Sequence, residues 1–228
     1  MRNGIEGVAF DLDGTLYPNY RLNYKLVPFI LKELRLISAF GKARNIIRNE
    51  QKNGSAHNDF YGYQADLTAK LLSSQPELVR EKIDRLIYKG WEPFFKDIKL
   101  YKMAVETLAG LQKAGYKMGL LSDFPPETKL DYLGLLDWGK GWDAVHCSER
   151  CGALKPHPLP FENLAAAMNL PCEKIIYVGN SHSYDVTGAQ KAGMKTAWIK
   201  NPLVSGNKKP KPDFFFSNYR QLFDFMIN

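Results

Sequence analysis

No stretch of the sequence approaches 18 consecutive uncharged apolar residues, so no membrane-spanning helix is expected. No leader peptide is expected either: Met1-Arg2-Asn3-Gly4 precedes only a brief apolar run, interrupted by Glu6 and ended by Asp11. Cysteine is scarce. Cys147, Cys151 and Cys172 are an odd number, and Cys147-x3-Cys151 beside His146 lacks zinc spacing and a second pair. Free thiols in a reducing cytoplasm are the expectation. There is no nucleic-acid-binding module, although the chain is basic at +7. Residues 1–17 carry −2, residues 18–96 carry +6 and residues 97–228 carry +3. A basic middle section suits an anionic small molecule, and equally a solvated surface. Lys208-Lys209-Pro210-Lys211-Pro212 reads as a solvated connection because of its prolines.

What the chain does have is a globular composition, 45% apolar and 24% charged over 228 residues, enough for one core and an inserted unit. Near its start, Ile5–Phe10 is a short apolar run of the kind that forms a buried parallel strand. It ends in Asp11-Leu12-Asp13-Gly14-Thr15, where strand alternation puts Asp11 and Asp13 on one side and Leu12 on the other. Gly14 allows the backbone to leave the sheet steeply. Two carboxylates this close repel and are costly to bury, so a positive partner, a bound cation above all, is expected. A calcium loop starting at Asp11 is excluded, because Leu16 stands where its glycine belongs and Leu22 where its glutamate belongs.

Beyond Tyr17 the strand–helix alternation stops. Residues 22–52 read as largely helical through Leu26, Phe29, Ile30, Leu34 and Ile37, with the regular helix starting near Pro28. Asn53–Asp59 is a polar loop that leaves His57 on the surface, and helix resumes over Tyr63–Leu72. Ser74-Gln75-Pro76-Glu77 fits a capping box for a further helix ending near Gly90. After Pro93 the alternation returns. Strands are expected at Tyr116–Asp123, Ala144–Ser148, Lys174–Gly179, Lys195–Ile199 and Asp213–Ser217, separated by helices closed at Gly115 and Gly193. Clusters at Asp11, Ser122 and Asn180 then each fall at a strand's carboxyl end, where parallel sheets bind ligands.

Asp11-x-Asp13-Gly14-Thr15, Leu121-Ser122-Asp123, Lys155-Pro156 and Gly179-Asn180-x4-Asp185 resemble, in this order, the four signature motifs of the haloacid dehalogenase-like hydrolases. The resemblance covers nearly the whole chain. It implies an α/β Rossmann-like core with a parallel sheet, made of residues 1–17 and 97–228, and an all-helical C1-type cap at 18–96. It further implies a magnesium-dependent phosphatase acting on a small phosphate monoester. Asp11 would be the nucleophile and Asp13 the general acid–base. Ser122, Asp123 (through its backbone N–H) and Lys155 would hold the phosphoryl oxygens. Magnesium would be met by Asp11, the carbonyl of Asp13, and either Asn180 or Asp185. The third-ligand position is commonly aspartate in the family, and here it is Asn180. His182 reads as an exposed loop histidine beside it.

That departure keeps a 2-haloacid dehalogenase reading open, because metal-free dehalogenases also carry neutral residues there. They lack the second aspartate of the first motif, which this chain has as Asp13. A non-catalytic binding protein of the same fold is a third reading, disfavoured by the intact Asp11, Asp13 and Lys155. The expected partner is a small phosphorylated molecule, with no nucleic acid and no membrane; the oligomeric state is not legible.

Overall fold

The computed structural model describes residues 4–52, 54, 56–136, 138–139, 141–200 and 208–228. Among them a six-stranded parallel sheet runs in the order β3-β2-β1-β4-β5-β6. The strands are β1 (Gly7–Phe10), β2 (Lys117–Ser122), β3 (Ala144–Cys147), β4 (Ile175–Gly179), β5 (Lys195–Ile199) and β6 (Phe214–Phe216). β1 is central, with Phe10 paired to Leu120 of β2 and to Val178 of β4. The strand order therefore reverses at β1/β4, and a crevice opens there at the carboxyl edge.

The central strands β1 and β4 read as continuous apolar runs because both faces of the sheet are covered there. Val8 and Phe10 of β1 pack with Met118, Leu120, Ile176 and Val178 on one face, under Leu108, Leu111, Leu222 and Met226. These four come from α5 (Ala104–Lys113) and α9 (Tyr219–Ile227). Ala9 instead packs with Leu121 and Tyr177 on the other face, under Phe161, Leu164 and Ala189 of α7 (Leu159–Ala167) and α8 (Thr187–Lys191). A fully buried side chain of this size contributes about 1.5–3 kcal/mol. Shifting β1 by one residue would send Phe10 into space shaped for Ala9, so its register is fixed by packing. Gly115 and Gly193 follow α5 and α8 with φ of +93° and +86°, a conformation open to glycine at little cost.

Helices α1 (Asn19–Lys32), α2 (Leu34–Glu50), α3 (Phe60–Leu72) and α4 (Pro76–Ile83) all fall between β1 and β2, followed by a π-helical turn over Asp84–Tyr88. Two expectations are corrected here. The helix does not wait for Pro28, which lies inside α1. Pro28 and Tyr24, whose carbonyl loses its donor, are both exposed, so water can satisfy that oxygen. Nor does Ser74 cap α4. Gln75 occupies the cap position without a side-chain bond, while the Ser74 N–H bonds back to the Ala69 carbonyl at 3.0 Å. Ser73 in the left-handed region (φ 52°) turns the chain, so Ser74 serves the end of α3. Asn53 and Ser55 of the expected polar loop lie outside the described residues. His57 is half-buried, stacked on Tyr63 with ring centroids 4.2 Å apart. No helix among the described residues is long and apolar enough to cross a membrane.

Candidate active site

The three expected clusters meet at the carboxyl edge of the sheet. Asp11 follows β1 directly and is buried, as are Ser122, Lys155 and Asp185. The Lys155 ammonium sits between two carboxylates, 2.7 Å from Asp11 Oδ1 and 2.7 Å from Asp185 Oδ1. Tyr177 Oη lies 3.3 Å from the same nitrogen and donates to the Leu121 carbonyl at 3.2 Å. Thr15 Oγ1 donates to Asp11 Oδ2 at 2.7 Å, so both carboxylate oxygens are held. Burial alone would lower the Lys155 ammonium, but Asp11 and Asp185 hold it well above the ordinary lysine range. Burial pushes the Asp11 carboxyl up to about 7, with Lys155 pulling the other way and Asp185 and Asp13 adding to the rise. An ordinary aspartate value therefore does not describe this carboxyl. Its ionisation depends on the positive charge set beside it.

Asp13 is built differently. β1 ends at Phe10, so strict strand alternation no longer governs where the Asp13 carboxylate goes. Tyr17 Oη donates to its Oδ1 at 2.5 Å and Lys129 Nζ to its Oδ2 at 2.6 Å. Lys129 belongs to α6 (Glu127–Tyr132) and lies over the Phe95 and Phe124 rings, 5.2 and 5.1 Å from their centroids. The two neighbouring carboxylates are thus each matched by a lysine of their own. The charge compensation that the sequence assigned to a bound cation is supplied in part by the chain.

Asp123 carries more than a backbone N–H. Its carboxylate receives Arg48 Nη2 at 2.7 Å, Ser148 Oγ at 2.5 Å and the Lys155 N–H at 3.2 Å, with Arg44 Nη2 at 3.8 Å. Arg44 also pairs with buried Glu149. Burial would raise the Asp123 carboxyl, yet Arg48, Lys155 and Arg44 together hold it well below the usual range. Because Arg44 and Arg48 belong to α2, this cluster ties the inserted helices to the segments after β2 and β3. A carboxyl depressed in the folded state adds stability above its unfolded pKa of about 3.9, and that stability is lost as pH falls toward the folded value. Asp123→Asn is expected to cost about 3 kcal/mol at pH 7, as for one partner of a buried pair. Urea unfolding at pH 7 and pH 3 checks this, and the gap between the proteins should narrow at pH 3.

Sequence reasoning missed Lys129, Arg44, Arg48 and Tyr177. One signal existed for Arg44: it stands on the buried face of α2 with Phe40, Ala43 and Ile47. A charged residue on an apolar stripe needs a partner. Lys129 gave no such signal. His182 is corrected from exposed to buried, with Nε2 2.8 Å from the Pro210 carbonyl and its ring against Trp198.

Among the described residues, no group of three His, Cys, Asp or Glu side chains is placed to hold a metal. The oxygen donors near Asp11 are of a different kind. A Cβ on Gly14 would come within 2.1 Å of Asn180 Nδ2, so the Asn180 amide lies directly against the Asp13–Gly14 turn. Asp185 is committed elsewhere, its Oδ1 to Lys155 and its Oδ2 to the Ser181 N–H at 2.8 Å. One or two carboxylates with neutral oxygens and retained waters make a set that suits magnesium, which takes few protein ligands beside a substrate phosphate.

Known proteins resemble this chain along nearly its whole length. The profile of the family described as haloacid dehalogenase-like hydrolase matches residues 8–199. Pyrophosphatase PpaX of Bacillus cereus is 25% identical over 244 residues, covering 98% of this chain and 97% of its own. Glyceraldehyde 3-phosphate phosphatase of Methanopyrus kandleri is 25% identical over 233 residues, covering 96% of each. Among solved structures, a phosphatase of this fold from Thermococcus onnurineus superposes with a TM-score of 0.65 at 24% identity, covering 97% of this chain and 98% of its own.

Proposed function

The chain belongs to the haloacid dehalogenase-like hydrolases, and from that premise we propose that it is a magnesium-dependent phosphatase of small phosphate monoesters. The observation that carries the reading is Asp13. A second carboxylate stands two residues beyond Asp11, oriented by Tyr17 and Lys129, and a dehalogenase has no use for it because halide leaves without a proton. The relatives named as phosphatase and pyrophosphatase support the same class. The three free cysteines fit a reducing compartment such as the cytoplasm.

In this reading an Asp11 oxygen attacks phosphorus while the bond from phosphorus to the leaving oxygen breaks. Asp13 gives that oxygen a proton, and an aspartyl-phosphate remains on Asp11. Water then attacks phosphorus, Asp13 takes the water's proton, and phosphate departs with Asp11 restored. Lys155 balances the negative charge of Asp11 and of the phosphoryl oxygens, aided by the Ser122 hydroxyl and the Asp123 N–H. Asp185 positions Lys155 from its other side. Residues 18–96 act as a cap over the site, pinned to the core through Arg44 and Arg48. Asp11, the Asp13 carbonyl and Asn180 would hold magnesium, which when bound would supply charge stabilisation for the phosphoryl group.

The test is release of phosphate from an aryl phosphate, which should require magnesium and stop on chelation. Activity undiminished by exhaustive chelation removes the metal from the reading. Asn180 refines it, since an amide presents a dipole where aspartate would present a charge. Asn180→Asp should bind magnesium more tightly by calorimetry, by about tenfold, and Asn180→Ala more weakly. The gain need not raise turnover, because the added charge repels the incoming phosphate. Equal affinities across the three proteins would remove Asn180 from the ligand set.

A further inference from the structure

Next to the strand ends lies a cavity of about 630 Å³ between the inserted helices and the core. Protein interiors leave few voids larger than a water molecule, and this volume is that of a ligand site. Asp13 and Lys129 line it, whereas Asp11, Ser122, Lys155 and Asp185 do not. Most of its wall surface is apolar, from Leu26, Ile83, Ile87, Trp91, Phe95 and Phe124 among others, while Asn19, Asn23, Tyr61, Gln64, Tyr88 and Glu92 add polar groups. Arg80, Asp84 and Lys89 also contribute, but they are exposed, and Lys89 is spent on Asp84 at 2.7 Å. The buried Trp91 indole N–H has no acceptor among the described residues.

The position of Asp13 gives the cavity a direction. In the proposed reaction Asp13 protonates the leaving oxygen, so the group carried by that oxygen extends from Asp13 on the side away from Asp11. That side is the apolar cavity. A polyol or a second phosphate placed there would shed its hydration against a surface that is mostly apolar, a net loss wherever its groups do not reach a polar side chain. An alkyl or aryl group would instead leave water for apolar walls.

We propose that the cavity accepts the alcohol portion of the substrate, and that the substrate class is the phosphate monoester of a hydrophobic alcohol. The proposal rests on the phosphatase reading and names its leaving group. It sets this chain apart from a pyrophosphatase or a triose-phosphate phosphatase, the activities that two of its relatives are named for.

The test uses ethyl, butyl and hexyl phosphate, whose leaving groups differ in apolar length and hardly in chemistry. kcat/KM should rise about three- to fourfold per added methylene until the cavity is filled. Ile30, partly buried on the same wall, offers a variant that tolerates change: Ile30→Asn should flatten the series. Calorimetric binding of the same esters to Asp11→Asn gives a readout independent of turnover, and hexyl phosphate should bind tighter by the same increments. A flat series in both measurements, or glyceraldehyde 3-phosphate outperforming hexyl phosphate, overturns the proposal and leaves the phosphatase reading standing. Graded binding without hydrolysis of any ester keeps the cavity assignment and overturns the phosphatase reading.

Discussion

Asp11→Asn is expected to lower phosphate release from an aryl phosphate by about 10⁴- to 10⁶-fold, the range seen when a covalent nucleophile is removed. Asparagine keeps the shape of the side chain, and Thr15 can still donate to its amide oxygen as it does to Asp11 Oδ2. What it lacks is the oxygen that attacks phosphorus. The fold should survive, because Lys155 retains Asp185 at 2.7 Å, although losing one of two buried counter-charges will cost some stability. Steady-state rates on purified protein, with deamidation excluded by mass spectrometry and folding checked by circular dichroism, give the answer. Full activity in a verified asparagine variant would show that Asp11 is not the nucleophile.

The second large effect belongs to Asp13. Asp13→Ala should lose about 10²- to 10⁴-fold in rate, the usual contribution of a general acid–base group. The loss should be uneven. An alkyl phosphate, whose leaving oxygen needs a proton, should suffer more than a nitrophenyl phosphate, whose leaving group departs as an anion. The substitution also strips Lys129 of its carboxylate partner at 2.6 Å. Lys129→Met separates that side effect from proton transfer: it removes the cation but keeps Asp13, and should not reproduce the leaving-group dependence. Equal losses on both esters would make Asp13 a structural residue. Chloride release from 2-chloropropionate by the wild type, with no phosphate released from any ester, would establish the dehalogenase reading instead.

Much of the fold was legible because its signals are local. A short apolar run followed by Asp-Leu-Asp-Gly marks the end of β1 in adjacent residues, and Gly115 and Gly193 mark helix ends in the same way. The strand at Ile175 was readable because burial on both faces makes a parallel strand apolar throughout, and those at Ala144 and Lys195 were readable from shorter apolar stretches beside His146 and after Lys195. Where local signals competed, the sequence misled. Ser74 matches a capping box by spacing, yet the end of α3 claims it, and Pro28 is tolerated within α1 because Tyr24 is exposed.

The candidate site divides along the same line. Asp11, Asp13, Ser122 and Asn180 could be picked out because they stand in short motifs at strand ends, which the sheet then brings together. Lys155 and Asp185, in the segments after β3 and β4, were singled out by the family resemblance. Which charges neutralise which could not be read, because such pairings join residues far apart in the chain. Lys155 meets Asp11 across 144 positions, Lys129 meets Asp13 across 116, and Arg44 meets Glu149 across 105. Periodicity reports the face a residue shows to its own helix or strand, and carries no information about the element packed against that face. The apolar cavity beside Asp13 is of this second kind. Leu26, Ile87, Trp91 and Phe124 each look like ordinary core residues in sequence, and only the packing of the inserted helices over the sheet leaves the space between them open.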